Sequence, residues 1–375
     1  MSPETIDQLL RGITGVTWQS LVMFVVAGVL LYLAIAKDYE PLLLVPIAAG
    51  CLLANLPRSP LIEDGGLLTV LYEAGIENEL FPLLIFIGIG AMTDFGPLLE
   101  NPKMILLGAA GQFGIFGVML LALLIGFTRP EAASIGIIGA IDGPTSIYVS
   151  GLLAPHLLGP ITVAAYSYMA LVPLIMPPVM RALTSEKERK IRMEYGGRAV
   201  SRRTRIVFPI AVTLLAGVLV PFSTPLVGSL MLGNLMRESK VVERLTHASA
   251  NEIANAVTLF LGLAIGSTML GTSFLLPSTL AILGLGIMAF VLDIAAGILF
   301  AKVLNAFSGG TFNPLIGAAG ISAFPMAARV VQKVAQDDDF ENFPLMHAMG
   351  ANAAGQVAST VAGGVLLALF ATGQV

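Results

Sequence analysis

Gly136-Ile137-Ile138-Gly139-Ala140-Ile141-Asp142-Gly143-Pro144-Thr145-Ser146 is an apolar stretch interrupted by an acid, a glycine and a proline. A second stretch, Gly309-Gly310-Thr311-Phe312-Asn313-Pro314-Leu315-Ile316-Gly317-Ala318-Ala319-Gly320, breaks in the same way. Each sets a side-chain oxygen, that of Asp142 or Asn313, beside a proline, and the two lie 171 positions apart. Proline removes a backbone donor, and glycine tolerates an unwound backbone. In a chain that crosses lipid, such breaks in two halves of the sequence point to a binding site near the bilayer midplane.

Composition supplies the lipid. Mean hydropathy is +0.87, 56% of the 375 residues are hydrophobic and only 12% are charged, against about 25% in soluble proteins. Apolar runs cover 18–36, 81–95, 104–127, 161–183, 206–220, 256–269, 280–300 and 353–370, with shorter ones at 42–56 and 225–235. They predict an all-α polytopic membrane protein of about ten spanning helices, with the two breaks as re-entrant hairpins. The expected architecture is transporter-like, with an inverted repeat. The N-terminus carries Glu4, Asp7 and Arg11 and no basic leader, so no cleaved signal is expected. The single cysteine, Cys51, excludes an internal disulfide and a cysteine-based metal cluster.

Charge divides the chain. Nine of its 20 Lys and Arg residues fall between Arg181 and Arg205, opposed only by Glu186, Glu188 and Glu194. The positive-inside rule places the 184–205 loop in the cytoplasm, and topology alone accounts for it more simply than a docking role. On this division, 1–80 holds N-terminal helices and an acidic loop, 81–183 a first repeat with the break at 136–146, and 206–375 a second repeat with the break at 309–320. The acidic stretch at 56–80 and the Asp337-Asp338-Asp339 run with Glu341 read as solvated loops. The mixed charges at 237–252 read as an amphipathic surface helix.

Asp142 is the outstanding residue. An acid at bilayer depth costs at least about 2.5 kcal/mol unless paired, and marks function. Gly143 and Pro144 stop the helix behind it, and Thr145 and Ser146 add hydroxyls. Unwound carbonyls with a carboxylate form the donor set of a dehydrated hard cation. A turn outside the membrane is the bland alternative, and the apolar flanks oppose it. Asn313, beside Pro314, would ligate without adding charge, although asparagine also caps helices. Asn352 lies among small residues that equally serve helix packing. Tyr166-Ser167-Tyr168 offers a ligand or proton relay, or an interfacial belt. Arg329 follows Ser322 by one to two helical turns, where it would hold a carboxylate or snorkel to the interface. Lys302 reads as an interface anchor, and the role of Asp293 stays open. There is no phosphate-binding loop to power an ATP-driven pump, and His156, His247 and His347 lack zinc spacing.

Several motifs carry a resemblance. Gly90-Ala91-Met92-Thr93-Asp94-Phe95-Gly96-Pro97, Gly111-Gln112-Phe113-Gly114, Ile137 through Thr145, Ala164 through Pro173, Lys187 through Met193 and Phe307 through Val330 resemble the β subunits of bacterial sodium-pumping, biotin-dependent decarboxylases. The likeness runs from about Pro82 to the end of the chain. It implies a bacterial cytoplasmic-membrane subunit that works with a carboxyltransferase, a biotin carrier and a small membrane subunit, as a homo-oligomer such as a trimer, with no nucleic acid. Carboxybiotin arrives on the carrier; its decarboxylation consumes a proton and drives sodium ions outward. The resemblance further implies that Asp142, Asn313 and Asn352 ligate sodium. Tyr168 and Ser322 would belong to a second cation site or the proton route. Gly317 would keep the second hairpin closely packed, and Arg329 would face carboxybiotin. The short N-terminal region and the 141–148 stretch look more like members acting on CoA esters than on oxaloacetate. From the residues alone, a sodium-coupled carboxylate carrier or sodium/proton exchanger has the same hairpins and ligands. A non-catalytic anchor for a soluble enzyme leaves Asp142 unexplained.

Overall fold

The computed structural model describes residues 15–38, 40–193 and 200–371. Glu4, Asp7 and Arg11, and Glu194 and Arg198 of the basic loop, lie outside these. The described residues are helical or irregular, without strands. Five helices are long and apolar enough to cross a bilayer: Trp18–Ala36, Met104–Ile125, Glu243–Thr268, Pro277–Phe307 and Leu345–Phe370. Two bent pairs raise this to seven: Leu67–Glu77 with Leu80–Met92, bent by 62°, and Pro155–Met169 with Val172–Leu183, bent by 67°. The chain is thus a multi-pass, all-helical membrane protein.

Both stretches interrupt helices. Thr128 and Glu131 make a capping box that starts helix Arg129–Gly136. That helix tightens into a 3-10 turn at Ile137–Ala140, and Gly143–Leu153 restarts behind Asp142. The second break is a 3-10 turn, Pro314–Ala319, between the long Pro277–Phe307 helix and helix Met326–Asp338. Its entry packs backbone on backbone. A Cβ on Gly317 would lie 2.0 Å from the Gly297 carbonyl oxygen, and one on Gly297 would lie 2.2 Å from that of Gly317.

The side chains bury into two cores. One joins residues of 104–141, 161–180, 282–301 and 312–371, and so contains both breaks. The other joins residues of 23–51, 76–85, 147–166 and 257–274. Within the second, helix Pro41–Ala54 lies along Ala254–Thr268; a separate close pair is Leu80–Met92 with Thr224–Ser239.

Two surface expectations need correction. Residues 237–252 are not one amphipathic helix. Helix Thr224–Ser239 ends there, Lys240 takes a left-handed conformation (φ 57°), and Glu243–Ala248 begins the next helix. The Lys302 Nζ lies 3.1 Å from Glu188. The acidic run at 337–341 is not merely solvated, because arginines of the basic loop pair with it. Arg181 pairs with Asp337 at 2.8 Å, Arg189 with Asp338, and Arg192 with Asp339 at 2.7 Å and Glu341 at 2.9 Å. Asn313 and Asn342 both donate their amides to the Arg189 and Ile191 carbonyls, at 2.8–3.2 Å. The loop is therefore latched onto the entry of the second break.

The guanidinium of Arg192 holds the Asp339 carboxyl below its usual range. A depressed carboxyl keeps its pairing above the ordinary value, near pH 4, and loses it only as the pH falls through the lower folded one. The double change Asp338→Asn with Asp339→Asn is expected to speed tryptic cleavage at Lys187 and Lys190 severalfold at neutral pH. Wild-type protein should approach that rate in about 1 M salt, where screening shortens to about 3 Å. Equal cleavage of both proteins at low salt would show that the latch does not hold.

A candidate cation site where the two breaks meet

The Ser322 N–H donates to the Ala140 carbonyl at 3.3 Å, so the exit of the second break is bonded to the tip of the first. This crossing is braced from two sides. From helix Leu345–Phe370, the Asn352 amide donates to the Ile321 carbonyl at 2.5 Å and the Gln356 amide to that of Ser322. From the Gly111–Gln112 interruption, Gln112 donates to the Gly320 carbonyl at 3.3 Å. Backbone groups freed by unwinding need such partners in a medium without water.

Asp142 sits at this crossing, 4% exposed. Its Oδ2 accepts from the Thr145 hydroxyl at 2.7 Å and the Ser359 hydroxyl at 3.1 Å. Gly143 next to it lies under the Tyr166 ring, 2.0 Å from where a Cβ would stand, so no larger residue fits beneath that ring. Asp142 lines a cavity of about 520 Å³ together with Ser322, Gln356, Tyr166, Thr93 and Thr258. The cavity runs between the two cores: Ile141 comes from one, and Leu43, Ile85 and Tyr166 come from the other.

Three buried amide oxygens around the crossing, Gln112 Oε1, Asn352 Oδ1 and Gln356 Oε1, have no hydrogen-bond partner among the described residues. Unpaired buried acceptors are costly and call for a ligand. Their amide nitrogens are all committed to carbonyls, which fixes the oxygens as acceptors. A carboxylate, neutral amide oxygens and hydroxyls form a hard-oxygen set with a single formal charge, which suits a monovalent alkali cation.

The other sequence candidates are placed as follows. Ser322 is in the site, its hydroxyl donating to the Gly355 carbonyl at 3.0 Å. Asn352 does not line the cavity; its amide braces the crossing at the Ile321 carbonyl. Asn313 does not line the cavity; its Oδ1 accepts from the Leu315 N–H at 3.0 Å while its amide holds the loop. Tyr168 does not line it either, and donates to the Leu283 carbonyl at 2.5 Å. Pro144 and Pro314 open the helical turns behind Asp142 and Asn313. Arg329 is exposed on helix Met326–Asp338, whose first residue, Met326, lines the cavity.

Gln356 and Ser359 are not singled out by the sequence reading, although their signal is present: Asn352, Gln356 and Ser359 follow i, i+4, i+7 spacing and form one polar stripe on an apolar helix. Tyr166 was one of two tyrosines in a triplet, and only packing chooses between them. Asp293 also finds its place. It is fully buried and accepts from the Gly114 N–H, in reach of the first break at Gly139.

Comparison with known proteins fits this geometry. The family described as "Na+-transporting oxaloacetate decarboxylase beta subunit" matches residues 19–370. Methylmalonyl-CoA decarboxylase subunit beta of Propionigenium modestum is 54% identical, over 96% of this chain and 97% of the relative. Glutaconyl-CoA decarboxylase subunit beta of Acidaminococcus fermentans is 52% identical, over 96% and 95%. Oxaloacetate decarboxylase beta chain of Klebsiella pneumoniae is 49% identical, over 92% and 94%.

Gln356→Leu keeps volume and removes the orphaned oxygen. It is expected to weaken sodium binding about tenfold, near 1.4 kcal/mol, as read by titrating the sodium dependence of turnover. An unchanged sodium KM would remove Gln356 from the site.

Proposed function

The chain belongs to the β subunits of sodium-pumping decarboxylases, and from that premise we propose that it couples carboxybiotin decarboxylation to sodium export through the Asp142 crossing. The observation that carries this reading is a buried carboxylate that shares its cavity with the unpartnered Gln356 oxygen, at the crossing that Gln112 and Asn352 also brace. Asp142 provides the charge that replaces the hydration of sodium. Asn352, Gln356 and Ser322 provide neutral oxygens, and the hydroxyls of Thr145 and Ser359 orient the carboxylate.

Sodium and a proton compete for Asp142, because ligation requires the ionised form. The core that contains both breaks moves against the other core, and the cavity between them opens alternately to either side. Arg329, exposed beyond the cavity wall, binds the carboxylate of carboxybiotin brought by a carrier subunit. Release of carbon dioxide leaves a biotin nitrogen that takes up a proton, and Tyr168 and Ser322 lie on the proton or second-ion route. Asn313 ligates only after its cap to Leu315 is given up, which links the loop latch to ion occupancy. Gly317 keeps the second hairpin tight enough to transmit that change.

The two halves, each with one break, form an inverted repeat in about ten spans, and the 184–205 loop faces the cytoplasm. The partners are a carboxyltransferase, a biotin carrier and a small membrane subunit, in a homo-oligomeric bacterial inner-membrane assembly. The substrate of the carboxyltransferase is a CoA ester, in line with the two CoA-ester relatives at 54% and 52% identity. No observation favours an independent carboxylate carrier.

In vesicles holding the complete complex, avidin is expected to stop sodium uptake by sequestering biotin. Asp142→Asn should lower sodium-coupled turnover at least about 100-fold, beyond what loss of an outer-shell partner does. Sodium movement by the isolated chain, insensitive to avidin, would instead establish a secondary carrier.

A further inference from the structure

The cavity that ends at Asp142 contains a second carboxylate. Glu40, directly before helix Pro41–Ala54, lines it along with Thr93, Thr258 and Tyr166. Glu40 and Asp142 line the same cavity, with the buried Tyr166 in the same wall. Gln356, 4% exposed, lines the same cavity with an oxygen that no described residue satisfies.

Two carboxylates that share a small apolar cavity repel each other at low effective dielectric unless a positive charge lies between them. The cavity wall itself supplies no lysine or arginine. Two arginines that meet the end of helix Leu80–Met92, whose Met92 lines the cavity, are committed elsewhere. Arg237 donates to the Met92 carbonyl and lies 3.8 Å from Asp94, and Arg205 lies 3.4 Å from Asp94 and 3.8 Å from Glu238. Ionised together, the two carboxylates call for a positive charge that the described cavity wall does not supply and that a bound cation would bring.

The exposure of the two acids gives that charge a direction. Glu40 is partly exposed, whereas Asp142 is 4% exposed, so Glu40 is the more accessible of the two carboxylates. A negative group on the accessible side of a low-dielectric cleft concentrates cations there and speeds their capture. It also provides a first hard oxygen as the ion sheds water.

We propose that Glu40 forms a staging site for a monovalent cation, with hydroxyl help from Thr93 and Thr258, from which sodium passes to Asp142. This site is distinct from the crossing itself, and it rests on the reading of Asp142 as the sodium ligand. Glu40 sets the sodium concentration at which the pump works, and the crossing sets whether it works.

The test uses the complete complex in vesicles, with decarboxylation and ²²Na⁺ uptake followed against external sodium. Glu40→Gln is expected to raise the sodium KM about tenfold, with saturating sodium restoring the rate, since about 1.4 kcal/mol is one decade. Glu40→Asp should fall between Glu40→Gln and wild type. Glu40→Lys places a fixed cation in the cavity and should block uptake at every sodium concentration. Thr258→Val offers a second, uncharged change, with a severalfold rise in KM. A wild-type KM in Glu40→Gln, or a lost rate that sodium does not restore, overturns the staging site. Asp142→Asn run in parallel separates the readings: if it is inactive while Glu40→Gln matches wild type, only the staging site falls, and if it pumps normally, the reading of the crossing falls too.

Discussion

The rest of this structure depends on one bond between two interruptions: the Ser322 N–H meeting the Ala140 carbonyl. A helix that unwinds inside lipid exposes backbone groups that water cannot satisfy, each at several kcal/mol in principle. This chain satisfies them by turning its two breaks toward each other and bracing the crossing with amides from Gln112, Asn352 and Gln356. Those amides use their nitrogens for the carbonyls and leave their oxygens over. The device that makes the breaks tolerable thus also leaves three buried acceptors without a partner among the described residues.

The position of Asp142 follows from the same constraint. It precedes the restart of a helix, where N–H groups are unpaired and negative charge is favoured. Hydroxyls of Thr145 and Ser359 fix one carboxylate oxygen, and the cavity approaches from the seam between the two cores. The loop latch adds a second link: Asn313 caps the 3-10 turn of the second break and also grips the loop backbone. A change at the loop therefore reaches the break through one side chain.

Fold type and the central residue were legible in the sequence. Hydropathy gave the membrane, Gly and Pro gave the breaks, and the rarity of acids in apolar runs gave Asp142. Ser322 and Asn352 were legible through the resemblance, and both stand at the crossing. The surface was read less well. The acidic run at 337–341 and the arginines of the loop lie roughly 150 positions apart, at sequence separations of 147–156, and charge pairing at that distance leaves no local pattern.

The sequence by itself determined what kind of protein this is, because lipid solubility and helix interruption are written in composition and in the local order of Asp, Asn, Gly and Pro. Only the tertiary structure decided which oxygens meet. Tyr166 rather than Tyr168 faces the cavity, Asn313 turns to the loop, and Glu40 shares a chamber with Asp142. The physical reason is that a helix presents every residue at some angle, and the neighbour it meets is chosen by packing of distant segments, which local periodicity does not encode.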